Sequence, residues 1–88
     1  MIRRVVGDSM TPGLPAGTVV VALRWPRKCK VGDVVILTHN GLEKIKRITQ
    51  LQDGQIFVAG DNPAASTDSR QFGWLPLSAV KARVVWPR

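Results

Sequence analysis

Three stretches of this chain carry side chains that could do chemistry. They are Gly7-Asp8-Ser9-Met10 near the start, Glu43-Lys44-Ile45-Lys46-Arg47-Ile48 in the middle, and the segment from Gly60-Asp61-Asn62 through Ser66 to Asp68-Ser69-Arg70. A serine set among Gly7, Pro12, Gly13, Pro15 and Gly17 either caps a turn or stands as a nucleophile at the lip of a cleft. A serine hydroxyl is a weak nucleophile near neutral pH and needs an adjacent base. The single histidine, His39, lies beside an Asn-Gly turn, which disfavours a Ser-His-Asp arrangement. A lysine can act as the base when it is neutral. Free lysine titrates near ~10.4, and bringing it down by two to three pH units costs about 3–4 kcal/mol, which an apolar site and neighbouring positive charge can impose.

In the run Leu42 to Thr49, strand alternation puts Lys44, Lys46 and Ile48 on one face and Glu43, Ile45, Arg47 and Thr49 on the other. Lys46 stands near the middle of that strand and is better placed for burial than Lys44, which is closer to the turn. A buried ammonium without a partner loses its proton, and a Ser-Lys dyad requires a lysine in that state. Each stretch also has a purely structural reading: a capped turn at Ser9, a basic strand that resists edge pairing, and Asx turns in the segment after Gly60.

The elements that would hold these residues are strands. Runs rich in Val and Ile recur at 2–6, 18–23, 33–38, 42–49, 55–60 and 79–86, between turn signals, and no segment shows a helical period. Asn40-Gly41 and Asp53-Gly54 are hairpin pairs, the second with room for a longer loop, so 33–60 is expected to form a three-stranded antiparallel meander. Residues 61–78 read as one long irregular segment, and a loop of that length is usually functional.

The chain has 88 residues, enough for one domain with a thin core. Hydrophobic content of 44% and charged content of 22% fit a globular protein. Thirteen Lys and Arg against six Asp and Glu give +7, which favours an anionic partner. Residues 24–30 hold Arg24, Arg27, Lys28 and Lys30, a basic loop suited to peripheral contact with an anionic membrane. No apolar run is long enough to cross a bilayer and the start lacks a signal-peptide pattern. The chain is therefore expected to be soluble, and cytoplasmic, or peripheral to a membrane. Cys29 is the single cysteine, so neither an internal disulfide nor cysteine-based metal spacing arises; no metal or cofactor is expected.

Together the motifs resemble the serine–lysine peptidases of the type I signal peptidase group, whose superfamily includes the LexA-type self-cleaving repressors. Four boxes stand in that family's order: Gly7-Asp8-Ser9-Met10-Thr11-Pro12 with Leu14 and Gly17; Gly32-Asp33-Val34-Val35; Ile45-Lys46-Arg47-Ile48; and Gly60-Asp61-Asn62 with Ser66, Asp68-Ser69-Arg70 and Phe72-Gly73. The last box resembles signal peptidases rather than repressors. The resemblance implies a mainly β fold, a single peptidase core domain over 1–88 built of coiled antiparallel sheets. It implies Ser9 as nucleophile and Lys46 as general base. The backbone N–H of Ser9 becomes part of an oxyanion hole, with Gly7 at the position where many bacterial members add a hydroxyl. Ser66 becomes the residue that orients the lysine. Asp68 and Arg70 become a structural ion pair, Asp61 and Asn62 loop scaffolding, and Met10 an apolar contact for substrate.

The chain begins eight residues before its serine, so neither a membrane anchor nor the cleavage segment of a self-cleaving repressor is expected. It resembles small unanchored members, such as those that remove a propeptide from nickel superoxide dismutase. The expected activity is that of a serine endopeptidase acting on another protein, bound in extended form. The alternative is a basic, β-rich nucleic-acid-binding module. It fits the charge but not the 6% aromatic content or the scattered Trp25, Trp74 and Trp86, and nucleic acid is the less favoured partner.

Overall fold

The computed structural model describes residues 1–24 and 28–87. Among the described residues seven strands form one antiparallel sheet: β1 Ile2–Arg4, β2 Val19–Arg24, β3 Val34–His39, β4 Leu42–Gln52, β5 Gln55–Ala59, β6 Leu75–Pro76 and β7 Val80–Trp86. Their spatial order is β1-β2-β7-β3-β4-β5-β6. The mainly β, antiparallel expectation holds, in one continuous sheet.

The meander forms as the turn residues dictate. Asn40 and Gly41 both have positive φ, 51° and 75°, and so do Asp53 and Gly54, 47° and 77°. That geometry matches the right-handed twist of the strands they join. The second hairpin is as tight as the first, because β4 runs on to Gln52 and pairs it with Gln55.

Two apolar clusters replace one thick core. Val34 and Ile36 of β3 pack with Val5, Met10, Leu14, Val20 and Val84; Val35 and Leu37 pack with Ile48, Ile56, Val58 and Leu75. β3 is thus buried on both faces, which is why its sequence is a continuous apolar run instead of an alternating one. In β4, Ile45 packs against the first cluster and Ile48 belongs to the second.

Residues 61–78 are more ordered than their sequence implies. A 3₁₀ turn covers Pro63–Ala65, a four-residue helix α1 covers Ser69–Phe72, β6 adds an edge to β5, and a second 3₁₀ turn covers Leu77–Ala79. Helix α1 is too short to show a period. It is held by a capping box in which Asp68 accepts from the helix backbone while the Gln71 side chain accepts from Asp68 N–H at 2.9 Å.

Candidate active site

β4 presents Lys46 from between β3 and β5. Lys46 stands opposite Val35 of β3, and Arg47 opposite Ala59 of β5. Beyond it the register with β5 shifts between Ile48 and Gln50. Such a shift bends a strand, and it is common beside functional sites. Lys46 is 5% exposed although it is a lysine. Its Nζ donates to Ser66 Oγ at 2.9 Å. Burial pushes the Lys46 amine below the ordinary lysine range; the Asp68 carboxylate pulls it back up, and Lys44 and Arg70 push it further down.

Ser66 passes the contact on. Its hydroxyl donates to Asp68 Oδ2 at 2.5 Å. Asp68 is fully buried and also accepts from Gly60 N–H at 2.8 Å and from Arg70 Nε at 2.8 Å, with Arg70 Nη2 on Oδ2. Burial alone would raise the Asp68 pKa, but Arg70, Ser66 and the backbone donors together hold it far below the carboxylate range. A buried carboxylate with this many donors stays ionised, so Ser66 Oγ–H is committed to it and a lone pair faces Lys46.

Ser9 is placed by its backbone. Its carbonyl accepts from Asn62 N–H at 2.8 Å, and Asn62 Nδ2 donates to Asp8 O at 3.1 Å. Asn62 therefore clamps the serine segment to the loop that carries Ser66. Asp61 is fixed in turn by a two-pronged contact with Arg47, Nε and Nη2 each 2.9 Å from its carboxylate. Gly60 sits where these pieces meet: a Cβ there would collide with Ser66 Oγ and come within 2.6 Å of the Ser9 carbonyl. Gly7 has φ of 78°, the left-handed region that favours glycine, with open space where a side chain would go.

A cleft of about 320 Å³ is lined by Ser9, Lys46, Gly7, Lys44, Ala65 and Thr67 among others. The serine and the lysine thus share one concave surface. Met10 borders it but is fully buried in the first cluster, so it anchors the serine loop and has no free face for a substrate. His39 is elsewhere: its ring stacks on Phe72 at 4.1 Å. Of the basic loop, Arg24, Lys28 and Lys30 are exposed, and Arg27 lies outside the described residues. Among the described residues no helix is long and apolar enough to cross a membrane.

The structure brings Lys46, Ser66, Asp68 and Arg70 into one hydrogen-bonded chain, and Ser9 lines the same cleft as Lys46. Sequence reasoning missed Gly60 as a site residue, and Arg47 as the partner of Asp61. The Gly60 signal was the demand for close backbone approach beside Asp61-Asn62; Arg47 gave none, because its partner is distant in sequence.

The chain belongs to the Peptidase S24-like family, whose model matches residues 1–72, and the mainly β fold is consistent with that class of peptidase. The resemblance to the signal peptidase and LexA-type superfamily therefore holds. Among curated proteins the chain is similar to mitochondrial inner membrane protease subunit 1 of Schizosaccharomyces pombe, at 33% identity over 98% of this chain and 73% of that protein. It is also similar to signal peptidase I of Bacillus caldolyticus, at 35% identity over 70% of this chain and 36% of that protein. A third relative, mitochondrial inner membrane protease subunit 1 of Xenopus tropicalis, is 39% identical over 49% of this chain and 28% of its own length. Protein substrates follow from this class.

Proposed function

We propose that the protein is a serine endopeptidase with a Ser9–Lys46 dyad, which removes a propeptide or signal-like segment from another protein. Lys46 takes the proton from Ser9 Oγ as it attacks the scissile carbonyl. The acyl-enzyme then forms as the amine leaves with a proton from Lys46, and water activated by Lys46 releases the new carboxylate. Ser66 orients the amine. The Ser9 backbone N–H supplies one oxyanion donor, and with Gly7 in place of a hydroxyl residue the second comes from backbone or water.

The observation that carries this reading is a lysine 5% exposed whose amine is hydrogen-bonded to a serine, not a carboxylate, in the cleft that holds Ser9. Lys46 Nζ points to Ser66 here and reaches Ser9 on substrate binding; such contacts tighten in the substrate complex. The substrate lies extended along the wall formed by the segment from β1 to Ser9, using backbone hydrogen bonds for affinity. Exposed Arg24, Lys28 and Lys30, with Arg27, provide peripheral contact with anionic lipid; co-sedimentation with phosphatidylserine vesicles should fall when all four are neutralised, and unchanged binding would remove this part of the proposal.

The test of the activity is digestion of a peptide library with sites read by mass spectrometry. Wild type should cut, and Ser9→Ala and Lys46→Met should not. Cutting by Ser9→Ala at the wild-type rate would refute the assignment.

A further inference from the structure

Lys44 precedes Lys46 by two residues in β4, so strand alternation turns both side chains to the same face of the sheet, about 7 Å apart along the strand at ~3.3 Å per residue. Both line the cleft that holds Ser9. Lys44 is half-buried, and its Nζ lies over the Phe72 ring, 5.0 Å from the centroid, within reach of a cation–π contact. Phe72 ends helix α1 and packs against the second apolar cluster. Its ring also stacks on His39 of β3, with centroids 4.1 Å apart. Helix α1 and β3 thus hold an aromatic seat for the Lys44 ammonium.

No carboxylate answers that charge. Among the described residues the Lys44 amine makes no ion pair. Asp68, before α1, is paired with Arg70, and Glu43, on the opposite face of β4, is held by Arg3 and Lys81. Asp8 of the serine segment and Arg3 and Arg4 of β1 are the remaining charged residues of the cleft. On the β3 side, Val35 and Leu37 stand opposite Lys46 and Lys44 and add no charge. We propose that Lys44 is a positioning residue of the dyad, a cation seated on Phe72 so that Lys46 beside it stands uncharged and ready for the Ser9 proton. The inference rests on the Ser9–Lys46 reading of the cleft. A second cation close by is one of the ways in which a lysine is activated. Lys44 and Arg70 both act on Lys46 in this direction, against Asp68; of the two, Lys44 is the one without a carboxylate partner.

The test is nitrogen-15 NMR titration of the Lys46 amine in wild type, Lys44→Met, Lys44→Arg and Phe72→Leu, beside the pH profile of peptide cleavage by each. Lys44→Met should raise the Lys46 midpoint by about half to one and a half pH units, the Coulomb effect of a charge ~7 Å away at effective dielectric constants between those of water and a protein surface. The cleavage profile should move with it. Lys44→Arg, which keeps the cation, should restore the wild-type midpoint. Phe72→Leu, which removes the seat, should raise it by less than Lys44→Met does. A packing role for Lys44 would lower rate or stability and leave the midpoint in place. An unmoved midpoint in Lys44→Met, or a rise in Lys44→Arg as large as in Lys44→Met, overturns the inference and leaves the peptidase reading intact. Absence of any cutting by wild type removes the peptidase reading, and the role of Lys44 with it.

Discussion

Ser66 Oγ stands between Lys46 Nζ and the Asp68 carboxylate, accepting from the first at 2.9 Å and donating to the second at 2.5 Å. This relay keeps the negative charge of Asp68 one residue away from the amine. A carboxylate in direct contact would hold the lysine charged; a hydroxyl locked as a donor elsewhere orients the amine while leaving its proton affinity low.

Ser66→Ala should therefore lower kcat by about 100-fold, the order of loss expected when a catalytic group is misplaced by about 1 Å, with KM little changed. Steady-state kinetics on one cleaved peptide decides this. Asp68 keeps Arg70 and Gly60 as donors in the variant, so circular dichroism should show the fold retained.

Gly60→Ala should disable the site and weaken the fold together. Its methyl group would press on Ser66 and on the Ser9 carbonyl, and the latter is backbone that cannot rotate away. Overpacking of this kind costs about 1–3 kcal/mol, read as a lowered denaturation midpoint. A fully active, equally stable Gly60→Ala protein would contradict the packing described.

Asp68 sets the acid limit of stability. Its folded pKa lies far below its ordinary 3.8. The unfolded chain therefore binds this proton first as pH falls, and the contribution of Asp68, complete above 3.8, is lost progressively below it. Asp68→Asn should be less stable than wild type at neutral pH, with a difference that narrows under acid. Urea melts between pH 2 and 7 check both statements.

Gly7→Ala tests backbone strain without steric conflict. Nothing lies within 4 Å of the added Cβ, but φ is 78°. The cost should be about 1–2 kcal/mol from the left-handed conformation alone, seen in denaturant titration.

How far the sequence reached depended on the range of the interaction. Asn40-Gly41 and Asp53-Gly54 announced their turns because the constraint is a local φ preference. Lys46 could be singled out because alternation and a mid-strand position are also local, and its face was read correctly together with Ile48. Helix α1 was legible in principle from Asp68 and Gln71, three apart as a capping box requires, yet it is too short for hydrophobic periodicity to reveal. Arg3 with Glu43, and Arg47 with Asp61, were not legible, since those partners meet only when the sheet has formed. Met10 was read as a flexible apolar surface for substrate; its neighbours Val5 and Leu14 bury it instead.

The proposed dyad requires Lys46 to be an uncharged amine at the pH where the protein works. Lys46 is buried and its pKa lowered, so the neutral fraction, and with it kcat/KM, should rise with pH through a midpoint below the ordinary 10.5. Nitrogen-15 NMR titration of the Lys46 amine, set beside the pH profile of peptide cleavage, measures this directly. One midpoint below 10.5, shared by both curves, is the expected result. A Lys46 that titrates at 10.5 or above, or cleavage that does not follow its titration, would contradict it.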